Sequence, residues 1–430
     1  MAISSEVIIC TTILLTCLFL KLPVFLALLS ASVAYFIMVD GVSSLIIAQR
    51  AVSGMESIPL LAVPFFICAG VLMNKTGVTR RIMDFCTVLS GRMHGGLAQV
   101  NVLLSLVMGG LSGSAIADAA MSSKMIVPEM ERKGYSKAFS TVLTAVSASI
   151  TPLIPPGIGM IIYGSIAGVS IGRLFMGGLG TGLLLAAGCM VLVHILAKKR
   201  GYLRLRENRI TSKEFFTALK PTLFPLCLPV VIIGGIRFGV FTPTEAGSIA
   251  VVYALILGLI YREMSFKDLI DSIKETVLGV ANIMLIMGTA SAFAWILSRE
   301  QVPQQLAALM LYYIDSRYVF LIIVNIFLLI IGMFIEGNAL LIVLVPLLHP
   351  IAIAFGIDEV HFAMLFIFNL SIGTITPPLG ILMFTACGIT GCKSKDFYRE
   401  SVPFLVMLLI CLLLLTFIPG ISLFFANLLF

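Results

Sequence analysis

Apolar stretches of bilayer-spanning length recur from one end of the chain to the other, interrupted by short polar connections. Residues 7–20 and 23–38 read as two membrane helices separated by Lys21-Leu-Pro23, whose proline favours a helix start. Asp40–Glu56 runs from polar to apolar and is expected at the interface or tilted through it. Leu60–Met73 is apolar, contains Pro64, and exits into an amphipathic connector at Asn74–Arg81. Residues 97–108 are apolar for only about a dozen positions, which at 1.5 Å per residue cannot cross a core of roughly 30 Å. Together with 115–127, beyond Ser112-Gly-Ser114, they predict a hairpin that enters the membrane and returns. Lys124, Glu129, Glu131, Arg132 and Lys133 mark its exit. Residues 138–167 then predict a helix broken at Pro152-Leu-Ile-Pro-Pro156, and 172–197 a long closing helix.

The second half replays the first. Phe241-Thr-Pro-Thr-Glu-Ala246 opens a helix as Leu22-Pro-Val-Phe25 does, 278–297 corresponds to 57–73, and Gln301–Leu306 aligns with Gly77–Ile82. The glycine-rich break Gly109–Asp118 has its counterpart in Gly332–Ala339, and Thr151–Gly157 in Ile375–Gly380. Gly113 and Gly337, and the proline pairs at 155–156 and 377–378, recur at one spacing of about 222 to 224 positions. The reading is therefore an all-α polytopic membrane protein of two inverted-topology repeats, 1–197 and 221–430, joined by a basic linker at 198–220. Each repeat carries a re-entrant hairpin (about 95–127 and 318–350) and a broken helix (about 138–167 and 362–389), with about five crossings besides the hairpin.

Composition agrees: 60% of the residues are hydrophobic and 11% charged, which leaves too little polar sequence to cover a soluble fold. The net charge of +7 does not point to nucleic acid, because the basic residues gather in short connections. Lys198-Lys-Arg200, Arg204, Arg206, Arg209, Lys213 and Lys220 outweigh Glu207 and Glu214, so the linker is expected in the cytoplasm and both termini in the periplasm. Met1–Leu20 lacks a basic start and a small-residue cleavage site, so this run is expected to stay as a helix. The nine cysteines lie mostly in apolar runs without metal spacing, and the four histidines share no motif. Neither a phosphate-binding Gly-x-x-x-x-Gly-Lys-Ser/Thr loop nor a His-Glu-x-x-His pair occurs, which disfavours an ATP-driven pump and a membrane metalloprotease; no enzyme is expected.

Backbone that leaves the helix at membrane depth is tolerated only inside protein or along a watery cavity. Two such breaks at matching positions point to the solute and ion site of a secondary transporter rather than a channel. Three acids fall near this region. Asp118 reads equally as a partner for hairpin hydroxyls and as a functional group, and Glu245 as an N-terminal cap. Glu336, at the second tip itself, reads as an ion or solute ligand. Gln99 and Asn101 are expected to bond within the bundle, and Trp295 to anchor at the interface.

Gly110–Ala120, Pro155-Pro-Gly157, Phe241–Ala246, Gly373–Gly380 and Leu60–Met73 together resemble the large membrane subunit of tripartite ATP-independent periplasmic (TRAP) transporters, across almost the whole chain. The resemblance implies a bacterial inner-membrane, elevator-type permease, driven by sodium and importing an organic acid anion such as a C4-dicarboxylate, sialic acid, sugar acid or keto acid. It further implies a small four-helix membrane subunit and a periplasmic solute-binding protein as partners. By position, the tips are Ser112-Gly-Ser114 and Glu336-Gly-Asn338. The second tip departs from the family's usual Asp-Pro-hydroxyl pattern, which touches cation ligation there. No tightly bound cofactor is expected; sodium enters as the coupling ion. Its candidate ligands are Ser112, Ser114, Thr151 and Pro155 near the first tip, and Glu336, Gly337, Asn338, Thr374 and Pro377 near the second. Candidate solute contacts are Ser112, Gly113, Ser114, Pro156, Asn338, Thr376 and Pro378, with half-helix N-termini assisting. A standalone sodium- or proton-coupled dicarboxylate carrier remains the alternative. Leucine at Gly113 or Gly337 is expected nearly to abolish transport while the protein still inserts.

Overall fold

In the first half of the computed structural model, which describes residues 4–206, 210–377 and 380–430, ten helices precede the linker. Helices α1 (Ser5–Phe19) and α2 (Val24–Met38) pack on each other across the turn that Pro23 starts. Next come α3 (Leu45–Met55) and, after a 3-10 turn at Ile58–Leu61, α4 (Ala62–Lys75) and α5 (Val78–Ser90). The hairpin arms are α6 (Gly96–Ser112) and α7 (Ala115–Arg132). The broken helix is α8 (Lys137–Ala148) and α9 (Ile158–Ala167), bent by 41° at its break, and α10 (Ile171–Arg200) closes the half.

The linker holds α11 (Ser212–Leu219), and α12 (Leu223–Arg237) and α13 (Pro243–Tyr261) follow. The 34-residue α14 (Phe266–Arg299) is one continuous helix where the first half has α3, a turn and α4. Ser57-Ile-Pro-Leu breaks the earlier piece, and no proline stands in α14. Then come α15 (Val302–Tyr313), the arms α16 (Arg317–Gly332) and α17 (Gly337–Ala354), the pair α18 (Glu359–Gly373) and α19 (Ile381–Thr390), α20 (Ser394–Phe417) and α21 (Gly420–Leu429). Both second arms are 18 residues long; α7 stays helical through Glu129–Arg132, past the expected exit, because charged residues outside the bilayer are good helix formers.

Six helices among the described residues are long and apolar enough to cross a bilayer, and eight if each bent pair counts as one span. Their outward faces are apolar: Leu183, Val191 and Ile195 on α10 and Val402, Val406, Ile410 and Leu413 on α20 are exposed. Water would penalise such continuous apolar surface, and lipid does not. The chain is a multi-pass membrane protein.

Two groups of helices make the core. The first is an outer group in which α14 packs on α2, α3 and α4, and α13 on α4. The second contains both hairpins and both broken helices, backed by α10, α20 and α21. Helix starts follow local chemistry: Thr242 and Glu245 form the capping box expected of Glu245, and Ser265 with Asp268 does the same for α14.

A buried amide pins each hairpin to its neighbours. Asn101 on α6 donates Nδ2–H to Thr144 Oγ1 on α8 at 2.7 Å and accepts from Ser147 Oγ at 3.4 Å. Asn325 on α16 donates to Thr416 Oγ1 on α20 at 2.9 Å and accepts from Asn369 Nδ2 on α18 at 2.6 Å. Gln99 likewise bonds inside the bundle, to the Met190 carbonyl. Asn325→Leu should remove one hydrogen bond each from Asn369 and Thr416 and cost about 0.6–2 kcal/mol, read as a lower melting temperature in detergent with the elution profile unchanged.

Candidate functional site

The first tip is two residues long. Helix α6 ends at Ser112, Gly113 turns the chain in the left-handed region at φ 60°, and Ser114 caps α7, its Oγ accepting from Ala117 N–H at 3.4 Å. Gly113 is needed twice: a Cβ there would lie 2.5 Å from the Pro156 carbonyl oxygen. The tip therefore rests directly on the break of the first broken helix. From the outer group Gly70 on α4 presses on the same turn, where a Cβ would lie 2.8 Å from the Ser112 carbonyl oxygen.

The first break runs from Ser149 to Gly157, with a short 3-10 turn at Thr151–Leu153 and a cis peptide between Pro155 and Pro156. Thr151 Oγ1 donates to Asp118 Oδ2 at 3.0 Å, and Ser122 Oγ donates to Asp118 Oδ1 at 3.2 Å; all three residues are buried. Asp118 thus ties the second hairpin arm to the break, the structural role that its position allows. At this depth an ionised carboxylate is tolerable only with such donors.

The second tip is built differently. Residues 333–336 join the arms, and Glu336 folds its carboxylate onto its own helix. It accepts from the backbone N–H groups of Asn338 and Ala339, both at 3.3 Å, and from Asn338 Nδ2 at 2.9 Å. The helix end and the carboxylate satisfy each other. Gly337 is loose: a Cβ there meets only the Leu370 side chain, at 3.6 Å and 4.0 Å. The tight contact in this half lies instead between Gly332 and Gly373, where a Cβ on Gly373 would sit 2.7 Å from the Gly332 carbonyl oxygen. At the second break Thr374 and Thr376 donate to the carbonyls of Ser371 (2.6 Å) and Ile372 (2.7 Å), so their oxygens keep free lone pairs.

Both tips and both broken helices line one cavity of about 110 Å³. Gly113, Ser114, Glu336, Gly337, Asn338 and Thr374 face it, with Pro152 of the expected break, as do Ser149 and Ser371, which the sequence reading did not single out. A spacing signal existed for Ser149 and Ser371, which stand a few residues before the proline pair of their half at the repeat offset. Ser112, Thr151, Pro155, Pro156, Thr376 and Pro377 are not among the lining residues. Ser112 and Thr151 are buried behind the tip and the break, and Pro156 touches the cavity wall through Gly113. Pro378 lies outside the described residues. Among the described residues no three His, Cys, Asp or Glu side chains come together, so the oxygens on offer are carbonyl, hydroxyl, amide and one carboxylate. That set suits a hard monovalent cation. The volume equals about three or four waters and is below the roughly 300 Å³ of a small ligand pocket.

Broken helices meeting two hairpin tips inside a helical membrane protein define a permease of the secondary-transporter type. The sequence profile described as "Tripartite ATP-independent periplasmic transporter, DctM component" matches residues 11–421, and the chain belongs to this family of TRAP transporter large permeases. It is 40% identical over 407 residues to the sialic acid TRAP transporter large permease SiaM of Vibrio cholerae, covering 94% of this chain and 95% of that one. It is 37% identical to the C4-dicarboxylate large permease DctM of Pseudomonas aeruginosa, covering 90% of each. To the 2,3-diketo-L-gulonate large permease YiaN of Escherichia coli it is 36% identical, covering 93% of each. Among solved structures, the YdaH transporter of Alcanivorax borkumensis shares the fold at a TM-score of 0.64 and 13% identity, covering 87% of each chain.

The two tip glycines should behave differently under the smallest substitution. Gly113→Ala, strained by its φ and its contact with Pro156, should lose about five- to thirtyfold in uptake rate, the effect of one to two kcal/mol at a packed site. Gly337→Ala should keep near-normal uptake. Proteoliposome flux normalised to inserted protein checks both, and separates the two positions that sequence alone makes equivalent.

Proposed function

We propose that this chain is the sodium-coupled translocation subunit for a small organic acid anion delivered by a periplasmic binding protein. The observation that carries this is the convergence of both tips, Gly113-Ser114 and Glu336-Gly337-Asn338, on one cavity with the two broken helices. Neutral oxygens of Ser114, Ser149, Asn338 and Thr374, with the Glu336 carboxylate, supply cation ligands there. Half-helix N-termini at Ala115, Gly337 and Ile381 supply partial positive charge for a carboxylate. The relatives named above carry the words sialic acid, C4-dicarboxylate and 2,3-diketo-L-gulonate, and another is an isethionate permease. All four are small anions, which argues for an organic acid here.

The halves 1–197 and 221–430 act as inverted repeats. Hairpin, broken helix and closing helix recur in the same order, and Asn101 and Asn325 occupy matching places. Lys198, Lys199, Arg200, Arg204 and Arg206 lie at one end of the molecule with Lys137 and Lys393, which favours the cytoplasm of the inner membrane for the linker and the periplasm for both termini. Solute moves by an elevator-type displacement of the hairpin group against the outer helices. A small membrane subunit braces those helices.

The test is uptake into proteoliposomes holding the permease and its small subunit. A sodium gradient plus the cognate binding protein should drive accumulation, and replacing sodium by potassium or omitting the binding protein should abolish it. Equal uptake in potassium rejects the coupling. Full uptake without the binding protein favours a standalone carrier.

A further inference from the structure

A second cavity, of about 260 Å³, lies in the seam between the outer helices and the hairpin group. Ser53, at the end of α3, and Ser57, opening the next turn, face it with Ser291 on α14 and Ser165 on α9. Four hydroxyls from three parts of the chain meet in this seam, where small residues also let membrane helices approach closely. Some helical serines bond to the carbonyl four residues back, as Ser32, Ser90 and Ser371 do. Ser165, like Ser105, Ser112 and Ser123, does not: its hydroxyl is shielded from solvent and has no protein partner. A buried hydroxyl left this way costs free energy unless water or a ligand meets it. The seam is also shaped for close approach, since a Cβ on Gly54 would lie 2.4 Å from Ser291 Cβ.

The position is informative. Gly159 on α9 lines the tip cavity and Ser165 lines the seam cavity, about 10 Å further along the same helix. On α17, Leu341 lines the first and Ile342 the second. Helix α10 starts just past α9 and reaches the linker only about 45 Å later, so the seam cavity lies on the side away from the linker. Arg50 stands one turn before Ser53 on the same helix face, exposed, with its guanidinium 6.0 Å from the Trp295 ring centre; Arg299 flanks the same ring at 5.5 Å. Arg50, one turn from the lining Ser53, and the hydroxyl donors within the seam suit an anion with several acceptor oxygens, whereas a lipid chain would leave the hydroxyls unmet.

We infer that this cavity is a second, transient station for the transported organic acid anion, which it occupies before reaching the tips. The inference rests on the organic-acid reading given above. In the station the serine O–H groups donate to the solute's carboxylate, and Arg50 draws it to the mouth.

The experiment uses the complete transporter, with small subunit and binding protein, and two probes tested separately: succinate and sialic acid. In Ser53→Ala and in Ser291→Ala, each made singly, KM for the transported probe should rise about tenfold with kcat kept, the effect of one hydroxyl-to-anion hydrogen bond. In Ser165→Cys, maleimide labelling, read by peptide mass spectrometry against the native cysteines, should be slowed by the transported probe and not by the other. An unchanged KM, or labelling that is absent or unprotected, overturns the station and leaves a water-filled seam. Wild-type protein that takes up neither probe nor any other organic acid fails the underlying reading instead, and the station falls with it.

Discussion

Everything at the centre of this molecule depends on how unpaired backbone is housed at membrane depth. A helix that stops inside the bilayer leaves carbonyl and amide groups that lipid cannot satisfy, so each break must be enclosed by protein. Here the enclosure is mutual: the first hairpin turn rests on the first break, Gly113 against the Pro156 carbonyl, while Gly332 and Gly373 close the second. Neither hairpin nor broken helix is a viable element without the other. The pairing also places the exposed ends of four half-helices around one small space.

The two halves reach this arrangement by different means. In the first, a buried carboxylate does the tying: Asp118 collects the hydroxyls of Thr151 and Ser122 and joins hairpin to break. In the second, the nearest acid, Glu336, spends its oxygens on the N-terminus of its own helix and on Asn338. The first tip is thus held from three sides, by Gly70, Pro156 and the Asp118 link, and the second is packed loosely around Gly337. Equal spacing in sequence has not produced equal packing. An alternating cycle needs the site to open, and the loosely held tip is where the least contact has to be given up.

Much of this could be read from residues alone, because the signals were ones that membranes make strict. In the first half a twelve-residue apolar arm is too short to cross, glycine between serines turns it, and paired prolines forbid a continuous helix; the second hairpin and break follow from the recurrence of those landmarks about 222 to 224 positions on. Other features turn on distances that a linear pattern does not carry. The self-capping of Glu336, the contrast between Gly113 and Gly337, and the retreat of Thr151 from the cavity all depend on which atoms meet. Ser149 and Ser371 were missed for a related reason: helical serines usually bond back to their own helix, so nothing local distinguishes one that also borders a cavity. The undivided α14 had a plainer cue, the lack of any proline where the first half has Pro59 and Pro64.

The character of the lining also bears on reversibility. A transported ion must bind well enough to be captured and weakly enough to leave. A cage of several carboxylates would hold a cation too tightly, and an apolar pocket would not hold it at all. The cavity between the tips offers carbonyls, hydroxyls, an amide and one carboxylate already engaged by three donors. With Glu336 so engaged, a cation there would meet a partly neutralised acid, and affinity would depend on how many neutral oxygens converge. That number changes when the tips move apart. On the sodium-coupled reading proposed above, opening the space enough to admit an organic anion would be the same motion that weakens the cation's cage, and the release of one would be coupled to the release of the other without a separate gate.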